Sequence, residues 1–250
     1  MGTLQAHIRL DVSLNIPYAL LPGDPARIDH IARHLENVTE LAYNREFRSI
    51  SGTYKGVQML AVSTGIGGAS MGIALEELHG CGVQCAIRIG SCGALQHDIA
   101  PGQLVLAEGA VRDDGASAAY LPLSYPAVAD HRLLACCCQA AQEQGFGHCC
   151  GLVRSHDSFY TDRESEICRT WSDRGILGAD METAALYTIG RLRGIATASI
   201  LNNIAPYESD VAESVADYVD GDRLAMQGES NEILTALEAF VRWEEQYGAH

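Results

Sequence analysis

Residues 83–94 constrain this chain more than any other stretch. They begin as an apolar run over 83–89 that carries one arginine, Arg88, and they end in Gly90-Ser91-Cys92-Gly93. Such a run reads as a buried strand, and a guanidinium at the end of a buried strand is costly unless an anionic group meets it. The small residues that follow let another molecule approach the backbone. Glycines beside a hydroxyl and an arginine suit a phosphate or a polar small molecule. A strand end with a turn and a surface arginine fits the same residues.

Two other stretches repeat the order strand, glycine turn, helix. Ala19-Leu20-Leu21 reads as a short strand stopped by Pro22-Gly23-Asp24-Pro25, with Pro25 in the first turn of a helix and Asp24 as its cap. Ile28, Ile31, Ala32 and Leu35 then recur at helical spacing. This arrangement places Arg27 beside a helix N-terminus that can hold an anion. A hairpin turn at Lys55-Gly56 leads into a strand over 57–63, and Thr64-Gly65-Ile66-Gly67-Gly68-Ala69-Ser70 feeds a helix over 71–78. That turn lacks the full dinucleotide spacing and the Gly-Lys-Ser/Thr of a P-loop.

Further strands are expected at 104–107, at 110–111, from 151 onward and at 195–201. Helices are expected over 126–145, 163–174, 183–193 and 224–247, and the acidic stretch 202–222 reads as a surface loop or mobile helix. Strands alternating with helices, with no linker or internal repeat, predict one layered α/β domain over residues 1–250.

A net charge of −15 argues against general nucleic-acid binding, which needs a basic face. It leaves room for a phosphate-bearing small substrate, because one pocket needs only a few arginines. The nine cysteines include the adjacent runs Cys136-Cys137-Cys138 and Cys149-Cys150, not the C-x-x-C spacing that suits zinc. They read as structural thiols in a reducing cytoplasm, with no metal site. Neither a signal peptide nor a membrane span is expected.

Six separated motifs, in order, carry a resemblance. They are Leu21-Pro22-Gly23-Asp24-Pro25-x-Arg27, Asn44-Arg45-Glu46-Phe47, Thr64-Gly65-Ile66-Gly67, Arg88-Ile89-Gly90-Ser91-Cys92-Gly93, Asp157-Ser158-Phe159-Tyr160 and Met181-Glu182. Over residues 7–203, and more loosely to the final helix, the chain resembles the hexameric nucleoside phosphorylases, the family of bacterial purine nucleoside phosphorylase and uridine phosphorylase. The resemblance implies a three-layer α/β/α fold around a mixed, partly barrel-like sheet. It implies cleavage of an N-glycosidic bond by inorganic phosphate, with phosphate as cosubstrate and no metal or organic cofactor.

It also implies roles for residues. Gly23 (through its backbone), Arg27, Arg88 and Ser91 would hold phosphate, with Arg27 and Arg88 in the catalytic set and Arg45 reaching into a neighbouring subunit's site. Arginine suits this task because its planar fork binds phosphate oxygens two at a time. Glu182 and Met181 would hold the sugar, and His7 would cross an interface to its 5′-hydroxyl. Cys92, Gly93, Phe159, Asp180 and Asn203 would face the base, Asn203 acting on the leaving group. Shared residues make a dimer the smallest active unit, and the resemblance implies a hexamer.

The base-reading residues depart from the family. Uridine phosphorylases carry a glutamine and an arginine after the Phe-Tyr pair, whereas Arg163 and Ser165 stand there in this chain. Purine enzymes usually carry Ser-Asp after the last strand, where Asn202-Asn203 stands here. An amide can donate to an acceptor and accept from a donor, which suits a 6-oxopurine. Inosine and guanosine are therefore the expected substrates, with uridine or a broad range of nucleosides as the alternative. A nucleoside hydrolase or a non-catalytic nucleoside binder would have no need of the phosphate set.

Overall fold

The computed structural model describes residues 3–209, 211–219 and 222–248. After an N-terminal arm, β1 (Tyr18–Pro22) leads to α1 (Arg27–Ala32), then to β2 (Glu36–Asn44), β3 (Phe47–Tyr54) and β4 (Val57–Val62). Next come α2 (Gly68–Gly80), β5 (Cys85–Ala94), β6 (Leu104–Asp113), α3 (Gly115–Tyr120), β7 (Ala127–Val128) and α4 (His131–Glu143). The chain continues through β8 (His148–His156), α5 (Glu164–Ser172), β9 (Gly178–Asp180), α6 (Thr183–Arg193), β10 (Ala196–Ala205), α7 (Val211–Val219) and α8 (Arg223–Tyr247).

All the strands join one mixed sheet. β5, β10, β6, β8 and β9 close on themselves as a barrel, since β10 pairs with both β5 and β6 while β9 bridges β8 back to β5. β1, β4, β3 and β2 extend the sheet from β5. One core packs α2 and α6 through Leu75, Leu78, Leu186 and Ile189; the other packs α1, α4 and α8 through Ile28, Ile31, Leu133, Leu237 and Phe240. This is the expected three-layer arrangement around a partly barrel-like sheet.

Local chemistry sets most boundaries. Lys55 and Gly56 both take positive φ, the tight turn that joins paired strands with the right twist. The Asp130 carboxylate accepts the Arg132 and Leu133 amides and so starts α4 five residues later than the hydrophobic pattern over 126–145 suggests, because Ala127-Val128 first pairs with β6. Likewise Asp24 accepts from the Ala26 amide but caps a turn, and α1 begins at Arg27, after Pro25.

The largest difference from expectation is at residues 90–94. They form no turn; β5 runs through them, paired with β10 from Cys85 to Gly93 and with β9 at Gly93 and Ala94. Arg88 is thus a mid-strand residue. The glycines are required by close approach. A Cβ on Gly90 would lie 2.5 Å from Arg88 Nη2, so the absent side chain leaves room for the guanidinium to fold across the strand. A Cβ on Gly178 would meet the Gly93 carbonyl at 3.1 Å, where β9 closes the barrel. Similarly, 104–107 and 110–111 are one strand, β6, with a bulge between Ala107 and Gly109 where it pairs with β8.

Candidate active site

A cavity of about 680 Å³ opens at the carboxyl ends of parallel β1, β4, β5 and β10, where an open α/β sheet usually binds its ligand. Gly23, Arg27, Arg88, Ser91, Cys92, Gly93, Phe159, Asp180, Met181 and Glu182 all line it. Ten of the thirteen residues singled out from the sequence therefore converge on one space although they lie far apart in the chain.

At one end lie the two arginines. Arg27 is buried in the first turn of α1, and each of its nitrogens has a partner from the last two helices. Nε lies 3.2 Å from Glu229, Nη1 donates to Glu232 at 3.1 Å, and Nη2 donates to the Tyr218 hydroxyl at 2.8 Å. Arg88 is also buried; its Nε donates to Asp180 at 3.1 Å and its Nη2 pairs with Glu182 at 2.5 Å. The second oxygen of Glu232 accepts the Gly90 amide at 3.1 Å, so this carboxyl bridges α1 and β5 beneath the cavity floor.

Two cations thus meet four carboxyls. Burial pushes the Glu232 carboxyl up to about 8; Arg27 opposes the shift and Glu229 adds to it. Burial likewise raises Glu182, against the pull of Arg88 and with the repulsion of Asp180. Glu229 goes the other way: burial would raise it, but Arg27, His30 and Tyr218 outweigh that and hold it below the ordinary range. At neutral pH Glu232 is therefore mostly neutral, and its proton lessens the negative charge that an incoming anion would face.

In the middle of the cavity stand Met181 and Glu182, where β9 gives way to α6. Glu182 Oε1 accepts the Gly67 amide from the second glycine turn. Asp180 is held by Ser155, Thr183 and Arg88, which fixes the strand end behind Glu182. The far end is mostly apolar, with Leu95, Phe159, Ile204, Val211 and Val215, and with His156, Glu164 and Cys168 as its polar groups.

Three expected residues lie elsewhere. Asn203 does not face the cavity; it is fully buried within β10, its Oδ1 accepting the Ala94 and Ala205 amides at 3.1 and 3.2 Å and its Nδ2 donating to the Ile99 carbonyl at 3.0 Å. Those bonds use both lone pairs of Oδ1 and one N–H of Nδ2 to join the end of β5 to the loop before β6, so Asn203 stands inside the sheet and not on the cavity wall where a base contact was expected. His7 is half-buried and Arg45 exposed, and both lie outside the cavity. The Asn44 side chain donates to the His7 carbonyl at 2.8 Å and the His7 ring lies 6.4 Å from that of Phe47, so the N-terminal arm is pinned to the hairpin that carries Arg45. Glu77 on α2 holds His7 Nδ1 at 2.7 Å.

The last two helices supply residues that the sequence reading missed. The stretch 202–222 is strand through Ala205 and carries α7, whose Val211, Val215 and Tyr218 cover the cavity; residues 210, 220 and 221 lie outside the described residues. Glu229 and Glu232 sit on the buried stripe of α8 with Ala236 and Phe240. Two carboxylates at that helical spacing on an otherwise apolar face were the available pointer, because buried acids need buried cations.

The phosphorylase superfamily model matches residues 17–237. A uridine phosphorylase of Treponema pallidum is 36% identical over 205 residues, covering 78% of this chain and 80% of the relative. A guanosine phosphorylase of Halorubrum lacusprofundi is 35% identical over 196 residues, covering 78% and 81%. Among solved structures, a uridine phosphorylase from Vibrio fischeri ES114, in a complex with 6-hydroxy-1-naphthoic acid, superposes with a TM-score of 0.90 at 47% identity over 96% of this chain and 97% of that one. Fold, cavity and sequence agree: the chain belongs to the phosphorylase superfamily, with nucleoside phosphorylases as its relatives.

Proposed function

We propose that this protein catalyses phosphorolysis of nucleosides to free base and (deoxy)ribose 1-phosphate, with 6-oxopurine nucleosides preferred. The observation that carries the reading is that one cavity brings together two buried arginines, Glu182 with Met181, and apolar walls. Phosphate binds at the arginine end with Arg27, Arg88, Ser91 and the Gly23 backbone. Glu182 accepts hydrogen bonds from the sugar hydroxyls. The base lies against Phe159, Cys92 and Gly93.

In the reaction the bond from C1′ to the base nitrogen breaks and a bond from C1′ to a phosphate oxygen forms. Positive charge grows on the sugar as the base leaves, and the dianion held below it stabilises that charge. The base departs with the electron pair and takes up a proton, matched by the one that monohydrogen phosphate gives up on becoming the sugar 1-phosphate. No metal or organic cofactor takes part in this scheme.

A purine preference rests on the far end of the cavity. Arg163, at the glutamine position of uridine phosphorylases, is exposed and pairs with Glu166 at 2.9 Å, and Ser165 is exposed too. Neither lines the cavity. Uridine is the second reading, favoured by the 47% identity to the Vibrio fischeri uridine phosphorylase. We further infer a homodimer as the smallest active unit and a hexamer as the assembly, because His7 and Arg45 lie outside the cavity on an arm and a hairpin fixed to each other. A cytoplasmic setting fits the cysteines, all of which are free, and no helix among the described residues is long and apolar enough to cross a membrane.

The test is base release from inosine, guanosine, adenosine and uridine, with and without phosphate. Release that requires phosphate and is fastest with the oxopurine nucleosides is the expected result. Equal release without phosphate overturns phosphorolysis, and uridine turnover far above both oxopurines overturns the preference.

A further inference from the structure

Two of the nine cysteines stand apart from the rest. Cys136 and Cys137 are buried in the core beneath α4, and Cys149 packs against the other core with its thiol 3.7 Å from the Leu104 carbonyl. Strand alternation turns the next residue, Cys150, to the opposite face of β8, where it is exposed. Cys138 is half-buried on α4. The sulfurs of Cys138 and Cys150 lie 3.9 Å apart.

The connection between α4 and β8 brings them together. Cys138 stands five residues before the end of α4 and Cys150 two after the start of β8, and Gly145, with positive φ, reverses the chain between them. Five residues of helix rise about 7.5 Å and two of strand about 6.6 Å, so the chain returns to the same level. A disulfide bond is about 2.05 Å long, so closure needs an approach of about 2 Å, the scale of a χ1 rotation.

The chemistry of the pair points the same way. Thiolate is the form that attacks a disulfide. The hydrogen bond with Cys150 holds Cys138 below the ordinary thiol range, against burial. The same hydrogen bond, then burial and the charges of Cys138 and Glu108, raise Cys150, so it keeps its proton while Cys138 ionises. The Glu108 carboxylate on β6 lies 3.9 Å from the Cys150 sulfur.

We propose that Cys138 and Cys150 form a modification site, at which a small-molecule disulfide such as oxidised glutathione closes a reversible cross-link between α4 and β8. The Cys138 thiolate attacks one sulfur of the small disulfide; that S–S bond breaks, and the other half leaves as a thiolate that takes a proton from water. Cys150 then attacks the Cys138 sulfur, the mixed disulfide breaks, and the Cys150 proton goes to the second departing thiolate. The two cysteines lose two electrons and the small disulfide is reduced to two thiols. In a reducing compartment the pair rests open, and it closes when the disulfide pool rises. The closed cross-link restrains the unfolded chain and so stabilises the fold. Neither cysteine lines the cavity, so the inference is independent of what the cavity binds.

The test incubates the reduced full-length protein with oxidised glutathione. Intact mass, alkylation of the remaining thiols in denaturant with peptide mapping, and thermal melts are then read. The expected wild-type product is lighter by two hydrogens, carries no glutathione, and has only Cys138 and Cys150 protected from alkylation; dithiothreitol restores both thiols. In C138S and C150S the surviving thiol of the pair cannot be resolved, and each variant is expected to hold one glutathione there instead. The oxidised wild type is expected to melt a few degrees above the reduced protein, a difference absent from both variants. A wild type that stays reduced, one that holds glutathione without closing, or a disulfide joining any other pair overturns the site. A closed form that melts no higher than the reduced protein overturns its stabilising role.

Discussion

The two ends of the cavity are built by opposite means. At the phosphate end Arg27, Arg88, Asp180, Glu182, Glu229 and Glu232 are each held by at least one other member, and Gly90 and Gly67 amides take up further oxygens. At the base end the walls are mainly apolar, with Leu95, Phe159, Ile204, Val211 and Val215. A saturated ionic network is rigid and costly to disturb, because removing one partner strands the others in low dielectric. An apolar wall is cheap to alter and changes what is admitted. Substitutions at the first end should therefore act on turnover and stability together, and substitutions at the second on selectivity.

The largest effect is expected from R88A. It removes one of the two buried cations and leaves Asp180 and Glu182 buried without it. Phosphorolysis should fall by about 10²- to 10³-fold in kcat/KM for phosphate, with a stability loss of about 3–5 kcal/mol. Steady-state kinetics and denaturant melts check both; activity retained within tenfold would break the assignment of this end to phosphate. E182Q, which keeps the shape of the side chain but weakens its acceptance of sugar hydroxyls, should cost about 10-fold to 100-fold in kcat/KM for the nucleoside. Its effect should be similar for purine and pyrimidine nucleosides. A base-dependent loss would move Glu182 to the other half of the comparison.

The next effect depends on pH. In the unfolded chain Glu232 titrates near its ordinary 4.5, and in the fold at about 8. A raised carboxyl binds its proton more tightly when folded, so its contribution is full below 4.5, is lost as pH rises toward 8, and is flat above. E232Q removes this term, and its melting temperature should fall less than that of the wild type between pH 5 and pH 8, on the order of a few kcal/mol in stability. An identical slope in the two proteins would mean that Glu232 is ionised throughout. The same proton should govern anion binding. Sulfate, whose charge is constant over this range, should bind the wild type more weakly above pH 8 than below it, and E232Q about equally at both.

The contrast between the ends also explains what the sequence could show. Local patterns were sufficient where one segment decides its own state: the helix expected over 183–193 is α6, closed by Gly194 in the left-handed conformation. They were insufficient where a distant partner decides. Gly90-Ser91-Cys92-Gly93 has the composition of a turn, but β9 and β10 supply partners on both sides and make it strand. Asn202-Asn203 looks like the start of a polar loop, and is buried strand because the Asn203 amide bonds to three backbone groups. The motif residues of the site were legible because short spacings carry them. Tyr218, Glu229 and Glu232 were not, because their partner, Arg27, lies about two hundred residues earlier and only the folded chain brings them to it.

The smallest effect, from Y218F, gives the sharpest test of how the phosphate end is held. The Tyr218 hydroxyl accepts from Arg27 Nη2 at 2.8 Å and donates to Glu229, and its ring lies under the guanidinium, with 5.5 Å from Cζ to the ring centroid. Phenylalanine keeps the ring and removes both hydrogen bonds. Both bonds run to charged groups, each contributing about 1.5–3 kcal/mol to the network, while phosphate feels their loss only indirectly, through Arg27. The sign of the effect on phosphate is informative. If Tyr218 only positions Arg27, KM for phosphate rises by a few-fold and kcat changes little. If the hydroxyl instead occupies a guanidinium nitrogen that phosphate must claim, the variant frees Nη2 and KM falls. The saturation of Arg27 by Glu229, Glu232 and Tyr218 favours the second outcome, because an incoming dianion must displace one of the three, and the neutral hydroxyl holds less firmly than the ionised Glu229. A KM for phosphate that rises in Y218F would show that Arg27 binds the anion with its present partners in place.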